Sequence, residues 1–296
     1  MSQNKFVQAF TEEEKKAVQE LKSQLPELLK ATAPATDEAP LSTLWGVPLT
    51  AEGEDERVDV VLVKFLRARN LDVKEASIML ADCLIWRAKF KADHVLQESF
   101  DESVLGRVGF VHKTDKEGRV VTYNLYGGDI DLEAVFGDVE NFVRWRVQLM
   151  EKGMQHIDFV NVDSMVQVHD YLGVSVFGSR TPKSKQATKE IIKIMQDNYP
   201  EVLAKKFFVN VPSWGSMIFK LVRPLLSENT VKKFVICSSS EASESLLQQI
   251  SKENLPKQYG GDSVVPELAN HDEKTKEKEA PLQNDETAEA DTLGVD

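Results

Sequence analysis

The chain has 296 residues, enough for one large domain or two modest ones, and its 42% hydrophobic and 28% charged residues are typical of a soluble globular protein. The net charge of −12 is unevenly spread, because the stretch from Val264 to the C-terminus holds 10 acidic and 3 basic residues and so contributes −7. The remaining body carries only about −5, which argues against a nucleic-acid-binding protein. The acidic stretch has no aromatic residues and is predicted to be a disordered tail over residues 265–296.

The two cysteines, Cys83 and Cys237, lie in a helical and a strand pattern and are interpreted as reduced core residues. The N-terminal "MSQNKFVQAF" does not resemble a signal sequence, and runs such as "VVLV" are too short to span a bilayer. We therefore expect a cytoplasmic protein whose membrane contacts are peripheral.

The first hundred residues follow helical patterns. Thr11 begins a capping box before a helix that Pro26 is expected to interrupt. A second helix is predicted over residues 57–69, and Asp72 is placed to cap a third. These elements predict an N-terminal helical lobe over residues 1–99.

From residue 100 the pattern changes to strands that alternate with helices. Two strands around "TDKEGR" predict a hairpin with Gly118 in its turn, and Asp138 is placed to cap the next helix. The alternation that follows predicts an α/β domain with a mainly parallel sheet over residues 100–264.

One strand of this domain, "QVHDYLGVSV", carries side chains with two possible roles. Successive strand side chains alternate between faces, so His169 and Tyr171 share one face and Asp170 lies on the other. His169 and Tyr171 can bind iron, or they can form hydrogen bonds within a core. The sequence pattern alone leaves both roles open.

Common catalytic and cofactor motifs are absent from the sequence. There is no G-x-G-x-x-G after a strand, no G-x-x-x-x-G-K, no H-E-x-x-H and no paired C-x-x-C. "GVSVFGS" lacks the glycine that a nucleophile elbow needs two places after Ser175. We therefore expect a binding protein and no catalytic residues.

The segment "PSWGSMIFKLVRPLL" predicts a helix that is apolar around most of its circumference. Such a helix is either part of the core or covers an apolar ligand that enters and leaves. Its basic residues, Lys220 and Arg223, would suit contact with an anionic membrane surface.

Two long motifs resemble the CRAL-TRIO family, the fungal-type phosphatidylinositol transfer proteins. They are "KFLRARNLDVKEASIMLADCLIWRAKF" in the helical lobe and "QDNYPEVLAKKFFVNVPSWGSMIFKLVRPLLSENTVKKFVICSSS", followed by "ENLPKQYGG", in the α/β domain. The resemblance covers roughly residues 58–262. It implies a helical lobe packed on an α/β domain that encloses a lipid in a deep apolar pocket.

The resemblance also implies roles for particular residues. An acid–base pair that would hold the inositol phosphate falls on Glu190 and Arg223, although the two residues could equally form a surface salt bridge. The apolar helix falls where the family has its membrane gate. The predicted gate residues are Trp214, Met217, Ile218, Leu221 and Val222.

Four segments, "YNLYGG", "FVRWRVQLMEKG", "QVHDYLGVSV" and "AKKFFVNVP", are most similar to a fungal subgroup of these proteins that binds haem. The resemblance implies haem b with Tyr171 and His169 as axial ligands, because a tyrosinate stabilises ferric iron. It also implies that two cations, Arg146 and Lys206, pair with the haem propionates or stabilise the tyrosinate. The implied haem residues are Tyr126, Arg146, His169, Tyr171 and Lys206.

Without the resemblance, three of these residues have ordinary interpretations. Arg146 could lie on a solvated helix face, Lys206 could be an ordinary lysine at the start of a strand, and Tyr126 could pack against a turn.

The resulting hypothesis is a non-enzymatic phosphatidylinositol transfer protein that exchanges lipid with endoplasmic reticulum, microsomal and plasma membranes. It would present lipid to lipid kinases, support phosphoinositide homeostasis, and bind haem in an oxidant-stress response. Two alternatives remain, a haem enzyme of the peroxidase or catalase type and a ligand-free interaction scaffold. Lipid and haem are expected to compete for one pocket.

Overall fold

A computed structural model of the chain describes residues 4–33, 42–128, 130–174, 181–212 and 228–265. The predicted acidic tail after residue 265 and all five predicted gate residues lie outside these ranges.

The N-terminal lobe is helical, as predicted. Thr11 and Glu14 form the expected capping box, in which the Thr11 hydroxyl accepts from the backbone N–H of Glu14 and the Glu14 carboxylate accepts from the N–H of Thr11. Asp72 caps the last long helix of the lobe. Between the last two helices Asn70 and Leu71 have positive φ angles of 52° and 64°, which end the helical path. The helices are α1 (Lys5–Gln8), α2 (Glu12–Thr32), α3 (Arg57–Arg67) and α4 (Val73–Phe90), and a small hairpin of β1 (Thr43–Leu44) and β2 (Val47–Pro48) lies between α2 and α3.

The expected break at Pro26 was wrong, because α2 continues through this residue to Thr32. Leu21, Leu25 and Leu28 are buried on one face of α2 on both sides of the proline, whereas Pro26 itself is exposed. Packing of that face holds the helix together despite the hydrogen bond that proline cannot make.

A five-stranded, mostly parallel sheet forms the second layer. Its first two strands make the predicted hairpin around Gly118, which has a φ of 81°. The remaining pairs are parallel, which confirms the predicted fold class. The strands, in sheet order, are β3 (Gly109–Thr114), β4 (Val120–Leu125), β5 (Met165–Asp170), β6 (Leu203–Val209) and β7 (Phe234–Ile236).

Helices cover both faces of the sheet. One face packs against a helix that supplies Ala242 and Leu246, together with sheet residues such as Val166 and Val168. The opposite face lies toward the helix that Asp138 caps, which in turn contacts the helical lobe. The helices of this domain are α5 (Leu132–Gly137), α6 (Val139–Met154), α7 (Pro182–Asn198), α8 (Glu228–Lys232) and α9 (Ser239–Gln249).

A buried polar network joins the lobe to the α/β domain. Arg87 on α4 is 1% exposed and donates to the Glu151 carboxylate on α6 at 2.7 Å. The Tyr199 hydroxyl donates to the same carboxylate at 2.5 Å, and Asp93 also pairs with Arg87. Burial opposes the charge on Arg87, but Glu151 outweighs it and raises the pKa of the guanidinium well above its ordinary value.

Candidate functional site

The sheet face under α6 is lined by polar and aromatic side chains, not by a continuous apolar surface. On β5 it carries Gln167 and His169, which lie beside Thr122 and Asn124 of β4 in the strand register. Gln167 is also paired with Lys206 of β6. Because parallel neighbours in register share a face, these side chains lie together.

Aromatic rings gather at the carboxyl end of this face. The Tyr126 ring centroid lies 5.7 Å from that of His169 and 5.8 Å from that of Tyr171. Phe208 on β6 completes the group, 5.6 Å from His169 and 6.3 Å from Tyr171. The structure therefore brings together the three ring residues to which the resemblance assigned haem binding.

His169 is buried, and its Nε2 has no hydrogen-bond partner among the described residues. Burial, and then the charges of Lys206 and Arg146, lower the pKa of His169 well below its ordinary value. The imidazole is therefore neutral at pH 7. A neutral imidazole nitrogen without a partner is the form that binds a metal.

Arg146 on α6 is 3% exposed, so the interpretation of "RWR" as a solvated face was wrong for this residue. Its guanidinium lies close enough to the Tyr126 phenol for each group to shift the pKa of the other. Burial raises the pKa of Tyr126, and Arg146 opposes that rise. Arg146 thus favours ionisation of Tyr126. The resemblance had implied that it pairs with a haem propionate or stabilises the tyrosinate of Tyr171.

Lys206 extends over the rings of Phe208 and Phe234, with its Nζ 5.3 Å and 5.8 Å from their centroids. Burial, and then the charge of Arg146, lower the pKa of Lys206 to about 7. Lys206 itself is half-buried and lies within β6, so its aliphatic stem packs on the rings while part of the side chain stays accessible.

Asp170 lies on the opposite face of β5, as the alternation predicts. Its carboxylate accepts from the Asn210 amide at 2.7 Å and from the Tyr259 hydroxyl at 2.7 Å. It also accepts from the backbone N–H of Leu172, and these contacts give it a structural position.

A separate cleft of about 430 Å³ lies between the helical lobe and the end of the sheet. Glu201, which precedes β6, pairs with Lys233, which precedes β7, at 2.7 Å. Lys232 is also exposed at this cleft. The lining residues are Glu14, Arg67, Asn70, Leu71, Glu201, Lys232 and Lys233.

The predicted headgroup pair is not brought together within the described residues. Glu190 is exposed on α7, and Arg223 lies outside the description. The sequence reasoning missed the Glu201–Lys233 pair, although both residues stand in the quoted lipid-domain motif. The signal that could have located the pair is their common position at the start of neighbouring parallel strands.

The described part of the chain contains neither a cluster of metal-binding side chains nor a membrane-spanning helix. Among its residues, no group of three or more His, Cys, Asp or Glu side chains is arranged to hold a metal ion. An iron site here would thus depend on the porphyrin for most of its ligands. No helix in the described ranges is long and apolar enough to cross a bilayer.

Two family models match the chain. The CRAL/TRIO domain matches residues 106–261, and the CRAL/TRIO N-terminal domain matches residues 6–82. The chain belongs to the CRAL/TRIO family, which confirms the resemblance.

Curated relatives support the same assignment. The chain is 38% identical to Patellin-6 of Arabidopsis thaliana over 86% of its own length, and the matched part is 61% of that protein. It is 35% identical to the phosphatidylinositol transfer protein SFH5 of Kluyveromyces lactis, covering 86% of this chain and 84% of that protein. The same-named protein of Cryptococcus neoformans is 38% identical, with 85% and 88% covered.

A solved structure titled "Crystal structure of Sfh5" is similar throughout. It matches with a TM-score of 0.71 and 28% identity, and covers 90% of this chain and 98% of that chain. The helical lobe and the sheet domain are therefore arranged as in that protein.

Proposed function

We propose that the chain binds phosphatidylinositol and carries it between membranes. The observation that carries this proposal is its similarity, over more than four fifths of their length, to two fungal proteins named as phosphatidylinositol transfer proteins. A carrier of this kind needs an interior for acyl chains and a polar site for a headgroup, and no catalytic group.

The cleft beside α8 is the better-supported headgroup site. Lys232, Lys233 and Arg67 supply cations for the phosphate, and Glu201 supplies an acceptor for inositol hydroxyls. Glu190 is exposed, and its predicted basic partner in headgroup binding, Arg223, lies outside the described residues. We therefore place the headgroup at Glu201 and Lys233.

Transfer of labelled phosphatidylinositol between vesicles tests this function. Wild-type protein should accelerate transfer, and Lys233→Met should reduce it at least about tenfold through loss of a charged contact. Lys252→Met is the matched control, because Lys252 forms an exposed ion pair with Asp262 away from the cleft. A wild-type protein that does not accelerate transfer would contradict the proposal.

Haem binding is a second candidate function, favoured by the unpartnered Nε2 of His169 beside two phenols. Haem would supply iron able to bind dioxygen or peroxide. His169 and Tyr171 would hold the iron, and Arg146 and Lys206 would pair with the acidic groups of the haem. Burial raises the pKa of Tyr171, so its phenol keeps its proton at neutral pH when no cation is bound.

Absorption spectra of purified protein test haem binding. Tyr171→Phe and His169→Phe should each change the spectrum of the bound haem, because each removes an axial group. Tyr123→Phe is the matched control, since its hydroxyl also has no described partner and lies on the opposite sheet face. A wild-type spectrum in Tyr171→Phe would refute the tyrosinate assignment.

The remaining parts of the proposal concern where and with what the protein acts. We propose peripheral contact with endoplasmic reticulum and plasma membranes through segment 213–227, delivery of lipid to lipid kinases, and a haem role in oxidant stress without turnover. Peroxide turnover well above that of free haem would instead indicate an enzyme. Protein purified without lipid or haem would indicate a scaffold.

A further inference from the structure

The face of the sheet under α6 holds the buried Arg146 and the half-buried Lys206, and no described carboxylate balances their charge. Neither Arg146 nor Lys206 forms an ion pair with a described acidic residue. Buried charges in proteins are normally paired, because removing a charge from water is costly. Among the described residues, the pair therefore has no counter-anion.

The acidic residues nearest in the fold are engaged elsewhere. Asp170 is on the opposite face with Tyr259 and Asn210. Glu151 on α6 is occupied by Arg87 and Tyr199.

Polar atoms near the cations are also unsatisfied. Thr122 Oγ1, Asn124 Oδ1 and His169 Nε2 are buried without a hydrogen-bond partner among the described residues. All three side chains are in register on the same face of β4 and β5. Native proteins satisfy most such groups, so a cluster of three marks a place for a polar part of a ligand.

The surroundings of the cations are aromatic. Phe208 and Phe234 lie 5.0 Å apart beneath Lys206, and Tyr126 and Tyr171 adjoin Phe208 through His169. A ligand that contacts these rings while its anion meets the cations must have an apolar body and an acidic end.

We propose that Arg146 and Lys206 form an interior carboxylate subsite that binds long-chain fatty acids, without any metal. The inference rests on the proposed carrier function, since it names a further ligand class for the same interior. The carboxylate oxygens accept from Lys206 and from Arg146, and the hydrocarbon chain lies against the aromatic rings. The same chemistry would hold other acidic amphiphiles, including a lipid phosphate, so the test must separate the two anions.

Binding of oleate and of oleyl alcohol to lipid-stripped full-length protein, measured by calorimetry, tests the subsite. The two ligands share the chain and differ in the carboxylate. Oleate should bind wild type at least about tenfold more tightly than oleyl alcohol, and Lys206→Met should remove that preference. Equal binding of the two ligands to wild type would overturn the proposal.

Lys205→Met is the matched control for this experiment. Lys205 is the neighbouring residue of β6, and its Nζ donates to Gln249 and lies over the Phe207 ring on the opposite face. The Lys205→Met variant should retain the preference for oleate over oleyl alcohol. Loss of this preference in both Lys205→Met and Lys206→Met would refute a local subsite. If Lys206→Met fails to fold, Lys206→Gln provides the same comparison.

Phosphatidylinositol transfer by the same variants separates this inference from the proposed function. Oleyl phosphate, which shares the chain of oleate, separates the two anions: binding tighter than that of oleate, and lost in Lys206→Met, would assign the subsite to lipid phosphate and overturn the carboxylate assignment. Wild type that transfers phosphatidylinositol but shows no preference for oleate contradicts the subsite alone. Wild type that prefers oleate but does not transfer phosphatidylinositol contradicts the carrier function alone.

Discussion

At the scale of single residues, the interior of this protein is distinguished by charges that burial makes costly. Arg87, Arg146 and Lys64 are all at least nine-tenths buried, but only two of them have a described acidic partner. Arg87 and Lys64 join the helical lobe to the α/β domain through Glu151 and Asp163. Arg146 instead lies beside the Tyr126 phenol, and no described carboxylate balances its charge.

Loss of the Glu151 charge should strongly destabilise the protein. Glu151→Gln leaves Arg87 buried without its main counter-charge, and the expected loss in the free energy of unfolding is about 3–5 kcal/mol. Chemical denaturation measures it. Asp197→Asn, which breaks the exposed pair with Lys193, should cost less than about 0.5 kcal/mol. A similar small loss in Glu151→Gln would show that the network contributes little.

The Lys64–Asp163 pair should give an acid-dependent stability. Burial tends to raise the pKa of Asp163, but the charge and the hydrogen bond of Lys64 outweigh it and lower the pKa below its ordinary value. A carboxyl group whose pKa is lowered by folding stabilises the folded state above its unfolded pKa, and this contribution is lost as the pH falls below about 4.

Asp163→Asn should therefore reduce the slope of the unfolding free energy against pH below about pH 4, in addition to lowering stability at neutral pH. Denaturation curves over a pH series give the slope. Glu133→Gln, an exposed change on α5, should leave the slope as it is in wild type. An unchanged slope in Asp163→Asn would mean that the pair does not titrate with folding.

At the scale of elements, features that depend on neighbouring residues in the sequence were predictable, and contacts between distant residues were not. Thr11, Asp72 and Asp138 cap helices where the sequence indicated, because a cap depends on residues two or three positions away. The Glu201–Lys233 pair joins residues 32 positions apart and depends on how β6 and β7 lie together. No local pattern contains that information.

The alternation of faces placed His169 and Tyr171 correctly because it is a property of the strand itself. The burial of Arg146 was not predictable in the same way. "FVRWRV" presents an arginine on either side of Trp145, and only packing decides that Arg146 faces inward while Arg144 pairs with Glu98. The resemblance, not the periodicity, identified Arg146.

Pro26 provides a test of how packing overrides propensity. The residue is exposed inside α2, so its replacement loses no core contact. Pro26→Ala restores a backbone hydrogen bond and should raise the free energy of unfolding by about 1–3 kcal/mol. Thermal or chemical denaturation measures this, with Glu27→Ala as the neighbouring control. A loss of stability would show that α2 requires the proline.

At the scale of the whole molecule, the fold separates two kinds of polar site. The cleft between the lobe and the sheet end is open and holds the Glu201–Lys233 pair. The face under α6 is interior and holds Arg146 and Lys206 with the aromatic rings. In the proposed carrier function, the acyl chains of phosphatidylinositol would lie over this inner face, which would then be common to both proposed ligands.

This common face predicts that phosphatidylinositol and haem exclude one another. A bound acyl chain would cover the rings of Tyr171 and Phe208, which a porphyrin would also need. Titration of haem-loaded protein with phosphatidylinositol vesicles should therefore release haem in proportion to the lipid taken up, as followed by absorbance.

Lys233→Met is the informative control for this competition, because it weakens the proposed headgroup site and leaves the inner face untouched. It should retain its haem at lipid concentrations that displace haem from wild type. Native mass spectrometry then decides between exclusion and coexistence: one molecule of haem and one of phosphatidylinositol on the same chain, at full occupancy of both, would show that the two ligands occupy separate volumes.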